Sequence, residues 1–307
     1  MSKATLSDAH FHDEAAAFGF VEARVWPTGP VCPHCGSMER IGKLKGKSTR
    51  MGVYKCYDCR KPFTVRVGTV FEDSKVKLHL WLQAIFLVAA SKKGISANQL
   101  HRTLGVTLKT AWFMGHRIRE AMRDTSNAML GAEGSSGIVE ADETYFGRTE
   151  GEGMGPRMNQ KRKVFSLMER GGSVRSFHVP QVTAENLGPI MGKHIAKRAR
   201  VMTDSAGFYK KMKLRESFQS HETINHLAGE YVRGDVTTNT VEGYFGLLKR
   251  GIFGVYQHCG ENHFHRYLAE FDFRHNNRKS LGVEDAQRAE NLVRGIVGKR
   301  LTYQTTN

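Results

Sequence analysis

Two sets of side chains in this 307-residue sequence have the types and spacing for metal chemistry, and they suit different metals. The first is soft. Cys32 and Cys35 form one CxxC pair in CPHCGS, and Cys56 and Cys59 form another in YKCYDCRKPF, with twenty residues between Cys35 and Cys56. Each CxxC turn offers two thiolates, and two such turns close a tetrahedral four-sulfur cage suited to zinc. With all four positions filled by protein, the zinc supplies folding energy and no open site. His34 lies between the ligands as a surface residue, and Cys259 stands alone as a buried thiol. The second set is hard: Asp142 in GIVEADETYFG, Asp204 in RVMTDSAGFY and Glu242 in TVEGYFGLLKRG. Glu242 stands seven positions before Lys249, which is followed by Arg250. Seven residues are almost two helical turns, so Glu242 and Lys249 share a face, yet they are too far apart for an i,i+4 ion pair.

The elements that position these residues follow from periodicity. CYDCRKPFTVRVGTVF alternates polar and apolar residues as strands do, and the spacer between the CxxC pairs has the length of a hairpin. Residues 75–123 read as helices. KLHLWLQAIFLVAASKKG stops at Gly94, a helix over 96–104 ends at Gly105, and Thr107 caps the next. This is a helix-turn-helix pattern in which the second helix reads DNA. Lys109, Thr110, Arg117 and Arg119 are its candidate contacts, with Trp112 and Phe113 assigned to core. DTSNAMLGAEGSSG, rich in Gly and Ser, reads as a linker. Strands follow at 137–147 and on either side of a Gly171-Gly172 turn within 163–179. A helix at 183–199, a strand ending at Asp204, a short helix over 205–213, a strand at 220–226 and the helix of Glu242 complete the order. That order matches a ribonuclease-H-like fold.

The expected fold class is therefore multidomain α+β. A zinc ribbon spans 1–74, a helix-turn-helix segment 75–123, a linker 124–136, and a ribonuclease-H-like α/β catalytic domain 137–307. In such a sheet the first and fourth strands are neighbours and the late helix packs across them, so Asp142, Asp204 and Glu242 converge. Bare carboxylates so placed repel one another, which calls for hard divalent cations such as Mg²⁺. Two such ions, on the order of 4 Å apart, activate a nucleophile and stabilise a leaving 3′ oxygen in phosphodiester chemistry. Other readings of these residues stay open. Glu140 shares the strand face of Asp142, whereas Glu143 points to the opposite face. Asp204 can also cap the following helix. His226 is a polar residue near the site. In FDFRHNN, Phe271 and Phe273 go to core and Arg274 meets phosphate.

Composition points to the partner. Lys and Arg number 46 against 30 Asp and Glu, a formal net charge of +16. The pI near 9.7 and the spread of basic runs such as KLKGKSTR, QKRKV (160–164), KHIAKRARV and KKMKLR suggest a long track for a polyanion, with nucleic acid first. The longest apolar stretch, LHLWLQAIFLVAA, is too short to cross a bilayer. The N-terminus lacks a signal-peptide core, so the default compartment is the cytoplasm.

The chain resembles, over nearly its whole length, the bacterial insertion-sequence transposases of the DDE type that carry an N-terminal zinc ribbon. The resemblance rests on RVWPTGPVCPHCGS, KCYDCRKPFTVRVGTVFEDSKVKLHLWLQAI, VEADETYFG, MTDSAGFY, TTNTVEGYFGLLKRGIFGVYQH and HRYLAEFDFRHNNR. It implies that Asp142, Asp204 and Glu242 bind Mg²⁺, with Mn²⁺ as a substitute, and that Lys249, with Arg250, meets DNA near the transposon end. Many members carry His at the position of Thr237. Some use Asn as the third ligand, and here Asn239 lies one turn before Glu242. The implied function is binding of terminal inverted repeats, hydrolysis that frees 3′-OH ends, and strand transfer into target DNA by a homodimer or larger assembly at the bacterial nucleoid. The rival readings are an inactive or domesticated transposase that only binds DNA, a zinc-ribbon transcription factor, and a ribonuclease-H-like nuclease such as a junction resolvase.

Overall fold

The computed structural model describes residues 5–147 and 161–302, so Gln160 of the QKRKV run lies outside the described residues. The chain divides into two compact units, Met1–Arg123 with Gly282–Asn307, and Asp124–Leu281.

The first unit opens with α1 (Glu14–Val25), which Asp13 caps by accepting the Ala16 N–H at 2.6 Å. Strands β1 (Ile41–Lys43), β2 (Tyr54–Cys56) and β3 (Pro62–Phe63) form an antiparallel sheet in that order. Its small core joins Cys32, Cys56 and Phe63 to the half-buried Trp26 and Tyr54. Helix α2 (Leu78–Ala90) buries Leu78, Trp81, Leu82, Ile85 and Val88, the spacing of one helical face. Its first N–H groups have no intrahelical acceptor. Glu14 supplies one, accepting from Leu78 at 2.8 Å and His79 at 3.1 Å. Helices α3 (Ala97–Leu104) and α4 (Leu108–Met122) flank a tight turn. Gly105 adopts φ 66°, a conformation that glycine takes without a Cβ clash, and Thr107 accepts the Thr110 N–H at 3.2 Å to start α4.

The second unit is a five-stranded sheet with helices on both faces. Its elements are β4 (Ile138–Phe146), β5 (Arg162–Glu169), β6 (Val174–Val179), α5 (Ala184–His194), β7 (Arg200–Asp204), α6 (Gly207–Lys211), α7 (Leu214–Ser217), β8 (Ser220–Ile224), α8 (Asn239–Gly251) and α9 (Glu261–Asn276). The strand order is β6-β5-β4-β7-β8. The first three form an antiparallel meander, and β7 and β8 run parallel to β4. This is the ribonuclease-H-like arrangement expected from the element order. Val139, Ala141, Phe165 and Leu167 pack against α5, α6 and α7 on one face. Phe146, Val164, Met168 and Val174 pack against α8 and α9 on the other.

The observed units depart from the expected divisions in two places. Of the described residues, 282–302 belong to the first unit and not to the sheet domain. Helix α10 (Asp285–Arg294) buries Leu292 and Val293 there, and Arg24 of α1 pairs with Glu290 at 2.6 Å. An amphipathic helix shows which of its faces is apolar and not which core receives it. The segment 124–136 is not a free tether either. Leu130 is buried in the sheet domain and exchanges backbone hydrogen bonds with His194 (2.8 Å) and Ala196 (2.9 Å). Beside it Gly131, at φ 72°, leaves no room for a Cβ, which would stand 2.5 Å from the Ala199 methyl. Glycine here is a packing requirement, although in sequence it looks like linker composition.

Candidate active site

The zinc ligands converge. The Sγ atoms of Cys32, Cys35, Cys56 and Cys59 all lie within 4.8 Å of one another, with Cys32 to Cys59 and Cys35 to Cys56 both at 3.6 Å. Sulfurs about 2.3 Å from a tetrahedral zinc are about 3.8 Å apart, so the cage has the dimensions of a four-thiolate zinc site. Burial opposes ionisation of Cys32, but the backbone N–H groups of His34 and Cys35 hold its thiol down at about 7. Against the Ser37 N–H, which lowers it, Cys35 is pushed up to about 12 by burial and by hydrogen bonding with the Cys32, Cys56 and Cys59 sulfurs, so the thiols ionise unequally until a cation compensates them. His34 is exposed and Cys259 is buried.

In the helix-turn-helix, only some of the expected DNA contacts face outward. Lys109 is exposed on the first turn of α4, the part of a reading helix that reaches base edges. Arg117 is buried, and its guanidinium donates to the backbone carbonyls of Val70 (2.8 Å), Glu72 (2.6 Å) and Leu301 (3.1 Å). Arg119 is buried over Gly115. Both were expected at DNA, and both are buried here; at Arg117 the reason is that loop and tail carbonyls that cannot pair within a helix or sheet take their donor from α4. Arg102, exposed on α3, was not anticipated. Trp112 and Phe113 are half-buried.

The acids come from three elements of the second unit. In the parallel register of β4 and β7, Glu140 pairs with Met202. Asp142 and Asp204 each follow that last pair by two residues. Helix α8 buries Val241, Tyr244, Phe245 and Leu248, which leaves Glu242, Lys249 and Arg250 on its exposed side. The seven-residue spacing thus places an acid and a cation along one accessible face. Asp204 Oδ1 accepts the Ala206 N–H at 3.0 Å, so it also serves the turn into α6. Glu242 Oε1 accepts the Thr238 hydroxyl at 2.9 Å, and His226 Nε2 lies 3.3 Å from the same oxygen.

Electrostatics register the gathering. Asp142 is pushed up to about 8, first by burial, then by Glu143, Asp204 and Glu242. Glu143 is pushed up to about 7 by burial and by Asp204, while the Tyr209 hydroxyl, donating at 3.2 Å, works the other way. Among the described residues, only the four cysteines bring three or more potential ligand atoms within 4.8 Å of one another. The carboxylates therefore feel each other without closing into a cage. Such an open set of hard oxygens with uncompensated negative charge suits Mg²⁺, which keeps several waters and takes few protein ligands.

Neighbouring candidates have other partners. Glu140 has no exposed surface and is paired with Arg170 at 2.7 Å. Asn239 is exposed at the start of α8. Arg274, expected at phosphate, is buried. It pairs with Glu270 one turn earlier and lies 4.5 Å over the Phe271 ring. Phe271 is core and Phe273 is half-buried. Strand alternation set Glu143 aside on the far face, yet it adds to the charge that Asp142 feels, and nothing local in the sequence announces the buried Tyr209 hydroxyl that donates to it.

A four-thiolate ribbon with a helix-turn-helix, and a ribonuclease-H-like sheet with acids gathered on β4, β7 and α8, define a zinc-ribbon protein of the ribonuclease-H-like class. Residues 12–62 match the transposase zinc-ribbon domain, and residues 135–276 match the ISXO2-like transposase domain. The chain belongs to this family of insertion-sequence transposases. It is similar to the uncharacterized protein in transposable element ISH50 of Halobacterium salinarum, 27% identical over 292 residues that cover 89% of this chain and 95% of the relative. Among the described residues, no helix is long and apolar enough to cross a membrane.

Proposed function

We propose that this transposase acts by the DDE mechanism, with Asp142, Asp204 and Glu242 holding Mg²⁺ and with transposon ends and target DNA as substrates. The observation that carries the reading is the gathering of carboxylates from β4, β7 and α8: Asp142, lifted to about 8 first by burial and next by Glu143 beside it, also feels Asp204 and Glu242. A fold that gathers such groups on a partly exposed face keeps them at a cost in stability, and a divalent cation offsets that cost. When bound, the metal supplies charge neutralisation at the scissile phosphate and activation of the attacking oxygen. The chain's own residues do the rest. Thr238 and His226 orient Glu242 from one side. Lys249 and Arg250, further along the same exposed side of α8, hold the phosphate backbone near the scissile bond. Lys109 reads the terminal repeat from the first turn of α4. Cleavage frees a 3′-OH that attacks target DNA, and pairing two ends requires at least a dimer.

The test is strand cleavage on DNA carrying the element's own ends, with Mg²⁺, comparing wild type with Glu242→Gln. Mg²⁺-dependent cleavage that disappears in the variant while end binding persists supports the reading. Binding without cleavage by the wild type favours a protein that only binds DNA. Cleavage surviving in Glu242→Gln moves the third ligand to Asn239.

A further inference from the structure

We infer that Glu140 and Arg170 are positioning residues for the metal site, a clamp built on a buried carboxylate that fixes β4, β7 and the start of α8 relative to one another. The inference rests on the assignment of Asp142, Asp204 and Glu242 as ligands. A carboxylate with no exposed surface is costly unless its oxygens are fully used. Glu140 uses both. Its Oε2 accepts the N–H groups of Thr240 at 2.9 Å and Val241 at 3.0 Å. Its Oε1 accepts the Thr240 hydroxyl at 2.8 Å and two guanidinium N–H groups of Arg170 at 2.7 and 3.0 Å.

The first-turn N–H groups of a helix lack intrahelical acceptors and favour an anion. The adjacent residue usually supplies the acceptor from its side chain. Here the acceptor comes from a residue a hundred positions earlier in the chain. Thr238, the residue before α8, makes no capping bond, and its hydroxyl instead donates to Glu242. The capping task has passed to Glu140, which frees Thr238 to hold a ligand.

Arg170 extends the clamp. Its guanidinium touches β4 through Glu140, and β7 through the Met202 sulfur at 3.3 Å. It reaches the approach to α8 through the carbonyls of Asp235 (2.8 Å) and Thr237 (3.3 Å). Glu140 precedes Asp142 by two residues, and Met202 precedes Asp204 by two. One guanidinium therefore contacts β4 and β7 two residues before their ligands, and the segment that leads into α8. Like charges brought together by β4, β7 and α8 push these elements apart, and the Glu140 carboxylate ties the first turn of α8 back to β4. The clamp opposes that displacement without touching metal or DNA.

The experiment measures Mn²⁺ binding to the full-length protein without DNA, by electron paramagnetic resonance, together with thermal melting. The variant Glu140→Gln/Arg170→Met removes both charges of the pair, so that neither is left unpaired. It is expected to fold and to bind Mn²⁺ about tenfold more weakly, the scale on which groups that orient ligands act. Arg170→Lys keeps the ion pair but not the fork to the Asp235 and Thr237 carbonyls, and it is expected to lose affinity by a smaller factor. It decides the question if the double variant does not fold. Wild-type Mn²⁺ affinity in a folded variant, while Asp142→Asn loses binding, overturns the clamp and leaves the ligand assignment standing. Wild-type affinity in Asp142→Asn overturns both.

Discussion

The ribbon of the first unit and the acid cluster of the second are both metal-site candidates, and they are built on opposite plans. The ribbon's four sulfurs already stand at tetrahedral spacing, with no room for a further ligand. The carboxylates of Asp142, Asp204 and Glu242 stand near enough to disturb one another without forming a closed cage. A closed site serves stability, because every ligand bond formed is folding energy. An open site serves chemistry, because its remaining positions take water and substrate. The comparison teaches where each unit keeps its strain. The ribbon keeps little, and the sheet domain carries its strain at the site.

The largest contrast should appear on metal removal. Chelation of zinc, or Cys56→Ser, is expected to unfold the ribbon, since zinc contributes on the order of 10 kcal/mol or more to such small sites. The sheet domain, with a core on both faces, should keep its fold. Hydrogen exchange on the full-length chain reads both at once. Loss of protection confined to residues around β1, β2 and β3 fits the contrast, and protection retained there after chelation breaks it.

Asp142→Asn should separate function from stability in the second unit. Cleavage is expected to fall by about a thousandfold or more if an essential ligand is lost. The metal-free protein should become more stable near neutral pH, by about 2–4 kcal/mol, because the variant no longer buries a group whose pKa is lifted to about 8. A variant that loses both activity and stability would mark Asp142 as structural.

The two sites should also respond to pH in opposite directions. Asp142 and Glu143 have folded pKa values of about 8 and about 7, raised above their ordinary carboxylate values. A raised folded pKa gives stability that is fully present below the unfolded value, near pH 4. That stability is lost as pH climbs toward 7 and 8. The melting temperature of the metal-free sheet domain should therefore fall across this window, and Mg²⁺ should flatten the slope at its upper end. The ribbon should weaken on acidification instead, as protons compete with zinc for the thiolates. Parallel pH profiles for the two units would remove the distinction.

How far the sequence reached differs between the regions for the same physical reason. A ribbon is a local object, so two CxxC pairs and a spacer specify its ligands. The sheet order was legible from runs such as KVFSLMERGGSVRSFHV, whose hairpin turn and apolar alternation have few other solutions. Much of what stayed hidden depends on partners distant in sequence. Arg117, Arg119 and Arg274 look like phosphate contacts as charges on helices. At Arg117 the burial follows from neighbours elsewhere in the chain, the Val70 and Leu301 carbonyls, whereas the partner of Arg274, Glu270, stands one turn away and shows in sequence only as a possible helix pair. Glu140 competed with Asp142 on alternation alone. Its capture by Arg170 and by the first turn of α8 is a tertiary fact. The placement of α10 in the first unit is likewise a choice between two apolar surfaces that its own pattern does not make.

The smallest expected effects lie at the exposed cations, Lys109 in the first unit and Lys249 in the second. If the ribbon unit recognises ends and the sheet unit processes them, Lys109→Ala should weaken binding to the terminal repeat by about 1–3 kcal/mol, with little change on unrelated DNA. Lys249→Ala should weaken binding only a few-fold on either DNA and lower the salt slope of log affinity by about 0.9, the share of one phosphate contact. Its cleavage rate should fall further than its affinity, because Lys249 lies along the exposed side of α8 that carries Glu242. Competition binding at several salt concentrations, with single-turnover cleavage on the same fragments, separates these contributions. Equal losses on specific and unrelated DNA for Lys109→Ala would assign end recognition to some other surface. A cleavage defect in Lys249→Ala no larger than its binding defect would reduce that residue to one more member of the basic track.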